Sequence, residues 1–332
     1  MYDVAKLAGV SQPTVSRVLN HNDTTVQISD ETRQRVMAAV EELGYRPNIL
    51  ARSLRTQRTQ TIALMIADLS NGFYHPIARA VQDVARKRDY EVLISNSDHL
   101  YENEKHFCEV VARRPVDGVI MVPLHLTKAD IDEYFGKTSI PLAVLGSHVD
   151  YDNLDMVYVN DEQASYDAIR WMIEKRGYRD FGFIGVTEDL PPGPRRYQGF
   201  LRALHESGIT FDDRYRVYAD FTMDGGAAAA RSLLRLDHLP RALYVVNDLM
   251  AIGAILTLQE AGYRVPEDVA VLGFDNIPEA RIVRPMLTTI AQNPRDIGLK
   301  MASALFDRIA NPELVGKRVF ESEYELIVRD SA

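Results

Sequence analysis

The stretch ALYVVND (242–248), a helical pattern over 248–262 and then VAVLGFDN (269–276) decide the fold. Each apolar run is short and nearly free of polar breaks, the pattern of a strand buried on both faces. Between them Ala251, Ile255 and Leu258 recur at i, i+4 and i+7, one face of a helix. Strand, helix and strand at this spacing imply parallel pairing. Outward from this unit the same texture repeats. FGFIGV (181–186) and RVYADF (216–221) precede it. An earlier series runs TIALMIAD (61–68), EVLISNSD (91–98), GVIMVP (118–123), LAVLGS (142–147) and MVYVND (156–161). Ile77, Val81 and Val84 mark a helix between the first two. Two series predict an α/β body of two doubly wound parallel-sheet subdomains.

The 332 residues are 46% hydrophobic and 26% charged, enough for about two domains. The formal net charge is -9, which on its face argues against a nucleic-acid partner. The charge is unevenly placed. Residues 1–60 carry eight basic and six acidic side chains, so the remaining chain carries -11. Four arginines and no acids lie within 44–60, and TQRTQ (56–60) reads as a connector. One cysteine, Cys108, rules out an internal disulfide. No basic and apolar leader opens the chain, and no apolar run approaches the ~20 residues of a membrane span. A cytoplasmic location with no membrane association is the expectation.

The first sixty residues are dense in helix signals. A helix from Tyr2 to Ala8 stops at Gly9, suited to a left-handed turn. Ser11 caps a second helix, with Pro13 early in it where its missing N–H does no harm. Val15, Val18 and Leu19 form its apolar side, which leaves Gln12, Pro13, Thr14, Ser16 and Arg17 outside. A third helix starts near Ser29, repeats Val36, Val40 and Leu43, and ends at Gly44. This is the layout of an all-α helix-turn-helix, whose second helix enters the major groove.

The wording of YDVAKLAGVSQPTVSRVLN, ISDETRQRV and ELGYRPNILARSL resembles the LacI (lactose-repressor) family, and the likeness continues through GFYHPIARAV (72–81), RRYQGFLRAL (195–204), NDLMAIGAI (247–255), VPEDVAVLGFDNIPEA (265–280) and ELIVRDSA (325–332). The resemblance implies a regulator that binds a pseudo-palindromic operator as a homodimer. Its body is expected to be periplasmic-binding-protein-like, with crossover strands near 159–162, 289–292 and 318–322. The implied divisions are a headpiece over 1–46, a hinge helix and linker over 47–60, one subdomain over 61–160 plus 291–320, and the other over 161–290 plus 321–332. Gln12, Pro13 and Arg17 match base-touching positions, and Arg17 could pair bidentately with a guanine. Tyr2, Ser11, Ser16 and Asn20 read as phosphate or positioning contacts, with Thr14 in either role. Asn48, Ala51, Arg52, Leu54 and Arg55 fall on the hinge helix, with Leu54 as an apolar wedge between phosphate anchors. Family members carry a few residues before the tyrosine, so a native start upstream of Met1 is expected. No heptad extension follows before Ala332, so a dimer is expected rather than a tetramer.

Ligands in such bodies sit at the carboxyl ends of strands, in the crevice. Asp98, Arg196, Asn247 and Asp275 supply polar groups there, and Phe73, Tyr74 and Phe221 supply flat apolar faces. Forked charged groups hold vicinal hydroxyls and aromatic faces stack on sugar rings. Arg196, Phe221, Asn247 and Asp275 match effector positions of the family one by one. Gly146 stands where many sugar-responsive members have an acid, and His148 is a candidate to supply the missing contact. A small-molecule effector, a sugar or sugar derivative, is the expectation. Part of the body also resembles the catabolite-control branch, driven by a phosphorylated carrier protein; LKMASALF (299–306) lacks the basic residue that branch presents. An enzyme is not expected: no phosphate-binding glycine loop follows a strand, and the eight histidines show no metal-ligand spacing. His99 and His106 read as a solvated helix face, and Cys108 as packing. No cofactor or metal is expected, and a sugar-binding protein without a regulatory role would lack residues 1–60.

Overall fold

The computed structural model describes residues 1–19, 28–45, 58–149 and 151–332. They form two compact units, 1–59 and 60–332.

In the first unit, α1 (Tyr2–Ala8) ends on Gly9 at φ 63°, a left-handed turn that a side chain would strain. Helix α2 (Gln12–Leu19) starts behind Ser11, whose hydroxyl accepts from the Thr14 N–H at 3.3 Å. Helix α3 (Asp30–Glu42) is capped by Ser29, and Asp30 and Glu31 place negative charge at its positive end. The three helices close on Val4, Ala5, Ala8, Val15, Val18, Val36 and Ala39. Leu43, expected on the apolar face, is 45% exposed, because the helix has ended at Glu42 and Ala39 fills that stripe.

The second unit alternates strands and helices in chain order: β1 (Thr61–Ile66), α4 (Tyr74–Arg86), β2 (Glu91–Asn96), α5 (Tyr101–Arg113), β3 (Gly118–Met121), α6 (Lys128–Phe135), β4 (Leu142–Leu145) and β5 (Asp155–Val159). Then come α7 (Asp161–Arg176), β6 (Phe181–Gly185), α8 (Gly193–Glu206), β7 (Arg216–Tyr218), α9 (Met223–Leu233), β8 (Ala242–Val245), α10 (Asp248–Glu260), β9 (Ala270–Asp275), β10 (Thr288–Gln292), α11 (Pro294–Ala310), β11 (Arg318–Ser322) and β12 (Tyr324–Ile327). They build two six-stranded sheets, ordered β11-β5-β4-β3-β1-β2 and β12-β10-β9-β8-β6-β7. Pairing is parallel apart from β10 with β12 at the edge of the second sheet. The chain passes from one sheet to the other after β5, after β10 and between β11 and β12. Helix α11 follows a strand of the second sheet yet packs on α4, β3, β4 and β5 of the first.

The α/β architecture of two doubly wound sheets is as the apolar runs imply. One detail differs. Strand β2 was expected to be buried on both faces, but Leu93 is 49% and Ile94 38% exposed. It is the edge of its sheet, and an edge strand with the same apolar residues as a central one reads identically in sequence. Cys108 is buried on α5, and burial pushes its thiol up to about 12, so it packs as a hydrophobe. Among the described residues, no helix is long and apolar enough to cross a membrane.

Candidate functional site

In the helix-turn-helix unit, Tyr2 is 66% exposed, and Ser11, Gln12, Pro13 and Arg17 are exposed along the start and outer side of α2. Thr14 is half-buried and shares a 2.9 Å hydroxyl contact with Ser11. Ser16 does not stand outside as expected: it is 8% exposed. At roughly 100° per residue it lies beside Leu19, at the margin of the apolar stripe, where a small side chain is readily covered. Asn20, Asn48, Ala51, Arg52, Leu54 and Arg55 lie outside the described residues.

In the second unit, a cleft opens at the carboxyl ends of both sets of strands. It is built around a close helix crossing. A side chain at Gly199 of α8 would meet the Glu162 carbonyl of α7 at 2.1 Å, so only glycine lets these helices approach so far. That approach carries Arg196, one turn earlier on α8, to Asp161, the first residue of α7. Its Nε donates to Asp161 Oδ1 at 2.9 Å, and Arg195 Nη2 donates to Asp161 Oδ2 at 3.2 Å. Arg196 is 4% exposed. Its Nη1 donates to the Val246 carbonyl and lies 3.9 Å from Asp275 Oδ1, and its guanidinium covers the Phe274 ring at 3.5 Å. A buried cation is tolerable only with such partners.

Asp275 ends β9 at φ 124°, a conformation side chains rarely adopt. Its Oδ1 accepts from Gln292 Nε2 at 2.8 Å. Burial pushes its carboxyl well above the ordinary carboxylate range; Arg196 opposes this and Asp248 reinforces it. Asp248 is also raised by burial, although it accepts from Thr289 Oγ1 at 2.6 Å and the Ile277 N–H at 2.9 Å. Asn247 caps α10 by accepting from the Met250 N–H at 2.8 Å, and its amide donates to the Phe221 carbonyl at 3.2 Å.

The facing wall comes from the first sheet. Phe73 and Tyr74 meet edge to face, 5.1 Å between centroids, and both are nearly buried. The imidazole of His148 lies over Gly146. His99 stacks on Phe221, 5.6 Å and 31° apart, so an aromatic pair spans from one subdomain to the other. The loop behind His99 is fixed from the interior. Glu104, fully buried on α5, accepts from the Leu124, His125 and Leu126 N–H groups at 2.7, 3.0 and 3.0 Å. His125 Nε2 then donates to the His99 carbonyl at 3.0 Å.

Seven of the expected effector residues thus line one cleft: Phe73, Tyr74, His148, Arg196, Phe221, Asn247 and Asp275. Asp98 does not. It and His99 both have positive φ, and Asp98 is turned back to accept from Asn96 Nδ2 while His99 enters the cleft. His99 was expected on a solvated helix face, but α5 starts only at Tyr101. Sequence reading also missed Arg195, Asp161, Tyr158 and Gln292, which line the cleft from the crossover segments and α8. The apposition of Arg195-Arg196 with an acid opening α7 was the available signal.

Residues 1–48 match the bacterial regulatory proteins of the lacI family, and residues 172–332 match the periplasmic binding protein-like domain. Catabolite control protein A of Priestia megaterium is 35% identical over the whole chain and 98% of its own length. The HTH-type transcriptional repressor PurR of Pasteurella multocida is 32% identical, covering 99% of this chain and 97% of its own. The solved complex of the transcriptional regulator CelR with cellobiose superposes with a TM-score of 0.74 at 31% identity, covering 99% of this chain and 98% of that one. The chain is therefore a member of the lacI family of bacterial regulatory proteins, a DNA-binding transcriptional regulator and not an enzyme.

Proposed function

We propose that this chain represses transcription in the cytoplasm, binding a pseudo-palindromic operator as a homodimer, and that a small carbohydrate in the cleft sets its affinity for DNA. The observation that carries the proposal is the two-sided cleft. Arg196, Asn247 and Asp275 come from the second subdomain, Phe73, Tyr74 and His148 from the first. A ligand that touches both walls favours one angle between the subdomains, and such differential contact is what shifts a two-state equilibrium. That a relative of 31% identity is a cellobiose complex supports a sugar as occupant.

On the DNA side, Gln12, Pro13 and Arg17 read base edges, with Tyr2, Ser11 and Thr14 placing the helix, and Asn20 beyond its described end. Asn48, Ala51, Arg52, Leu54 and Arg55 form the hinge segment, with Leu54 as the wedge. Coupling between the sites is reciprocal: a sugar that lowers operator affinity by some factor has its own affinity lowered by operator DNA by that factor. Operator selection from a random duplex pool, followed by fluorescence anisotropy with and without sugar, tests the proposal. A pool that yields no two-fold-related site, or a selected site insensitive to every sugar, overturns it. Leu54→Ala is expected to weaken operator binding and reduce bending in a phasing gel.

The identity with catabolite control protein A favours a second reading, control by a phosphorylated carrier protein. Against it, Lys300 on α11 is engaged by Asp296 at 2.6 Å and by the Glu321 carbonyl at 2.8 Å. Operator binding that rises only with a phosphorylated carrier would select this reading.

A further inference from the structure

We infer that the ligand of this cleft is an uncharged polyhydroxylated ring and that His148 binds one of its hydroxyls; the inference rests on the carbohydrate reading above. Three observations meet here. The first is satisfaction. Both ring nitrogens of His148 are buried without a hydrogen-bond partner among the described residues, while the groups on the opposite wall bond to one another. A buried polar group left unpaired has lost its water without a replacement, so a partner for this imidazole is favoured.

The second is space. A Cβ at Gly146 would stand 3.0 Å from His148 Nδ1 and 3.1 Å from Cε1. Gly146 also has φ 119°. The ring therefore occupies the volume a side chain at 146 would take, and the cleft presents an imidazole where an acid at 146 would present a carboxylate. Burial, with Arg195 second, holds His148 down at about 4. At neutral pH it is uncharged, one nitrogen a donor and the other an acceptor. A hydroxyl, which also both donates and accepts, complements either nitrogen. A phosphate dianion or a carboxylate only accepts, so it can use the N–H nitrogen alone and finds no charge on the imidazole to pair with.

The third is charge. Arg195 and Arg196 both donate to Asp161, and Arg196 also faces Asp275. Both guanidinium groups of this wall already share the Asp161 carboxylate. An anionic ligand that drew these arginines to itself would compete with Asp161, whose buried carboxylate depends on them. A neutral polyol adds hydrogen bonds and disturbs none of these pairs.

The test uses the full chain and a panel of probes: glucose, ribose and cellobiose as neutral rings, glucose 6-phosphate and glucuronate as anions, hypoxanthine as a flat ring without hydroxyls. Calorimetric titration and release from operator DNA are read for each. A neutral sugar is expected to bind at least tenfold more tightly than its anionic derivative. His148→Ala is expected to weaken that sugar about tenfold, and His148→Gln to recover part of the loss. The decisive readout is a cycle with monodeoxy sugars. In the wild-type chain each deletion has a penalty; in His148→Ala the penalty at one position disappears, which a merely structural role would not produce. The inference is overturned if the phosphate or uronate binds as tightly as the neutral sugar, or if every deoxy penalty survives in His148→Ala. Operator release by hypoxanthine and by no sugar would instead sink the carbohydrate reading, and the inference with it.

Discussion

The two walls of the cleft are built on opposite plans. The wall of the second subdomain is polar and internally bonded: Asp161, Arg196, Asp275 and Gln292 are joined by hydrogen bonds or ion pairing, and beside them Asn247 donates to the Phe221 carbonyl. The wall of the first subdomain is largely aromatic and apolar, and of its two imidazoles that of His148 has both nitrogens unengaged among the described residues. The difference teaches where rigidity and selectivity reside. Groups that bond to one another keep their geometry without a ligand, as preorganised sites require. Groups without partners gain most from whatever enters.

The comparison can be broken most severely at Arg196. Arg196→Ala leaves Asp161 and Asp275 buried without their shared cation, and a broken buried pair costs about 3–5 kcal/mol. Urea unfolding should show this loss together with an abolished effector response; a variant as stable as wild type would mean the network is not what holds this wall. Gly199→Ala acts on the same wall through the backbone. Its methyl would overlap the Glu162 carbonyl, so α7 and α8 must separate, at about 1–3 kcal/mol. Circular dichroism melts would record it, along with weaker sugar binding. A control from outside both walls is Arg17→Ala, expected to lose about 1–3 kcal/mol of discrimination at one operator base pair with sugar affinity unchanged. Competition binding with single-base variants of the selected operator reads this out.

The other wall is sharpened by Phe221→Ala, which removes the partner of His99. Aromatic pairs contribute about 0.5–1.5 kcal/mol beyond area, so sugar affinity should drop up to about tenfold in a titration, with stability changed less than in Arg196→Ala. The smallest effect is a pH slope. Asp275 and Asp248 are raised by burial in the folded chain, so the fold binds more protons than the unfolded chain above the ordinary carboxylate range. Their contribution is full below that range and is lost as pH rises through the elevated values. Wild type should therefore lose urea-denaturation stability between pH 5 and 8 relative to Asp275→Asn, a window set by pKa values of about 4 unfolded and higher folded. Parallel slopes in the two proteins would contradict it.

Much of this was legible in the sequence, for identifiable reasons. Buried parallel strands are continuous apolar runs, so the strands from β1 to β9 stood out between helical patterns. The rule that ligands sit beyond strand ends placed Arg196, Asn247 and Asp275, because each follows or faces such an end. What escaped depended on single backbone angles or on pairs distant in sequence. Asp98 and His99 are neighbours, and only their positive φ values decide which one enters the cleft. Gln292 and Asp275 are 17 residues apart and meet because β10 pairs with β9. The exposed residues of β2 escaped because edge position is a property of the sheet, not of the strand.

Asp161 gives one consequence beyond the cleft's chemistry. It is the first residue of α7, directly after the chain leaves the first sheet through β5 and Asn160. The carboxylate that clasps both arginines therefore sits beside one of the three crossings between the two sheets. Any rotation of one lobe on the other about these crossings would move that clasp little and the far ends of the lobes much.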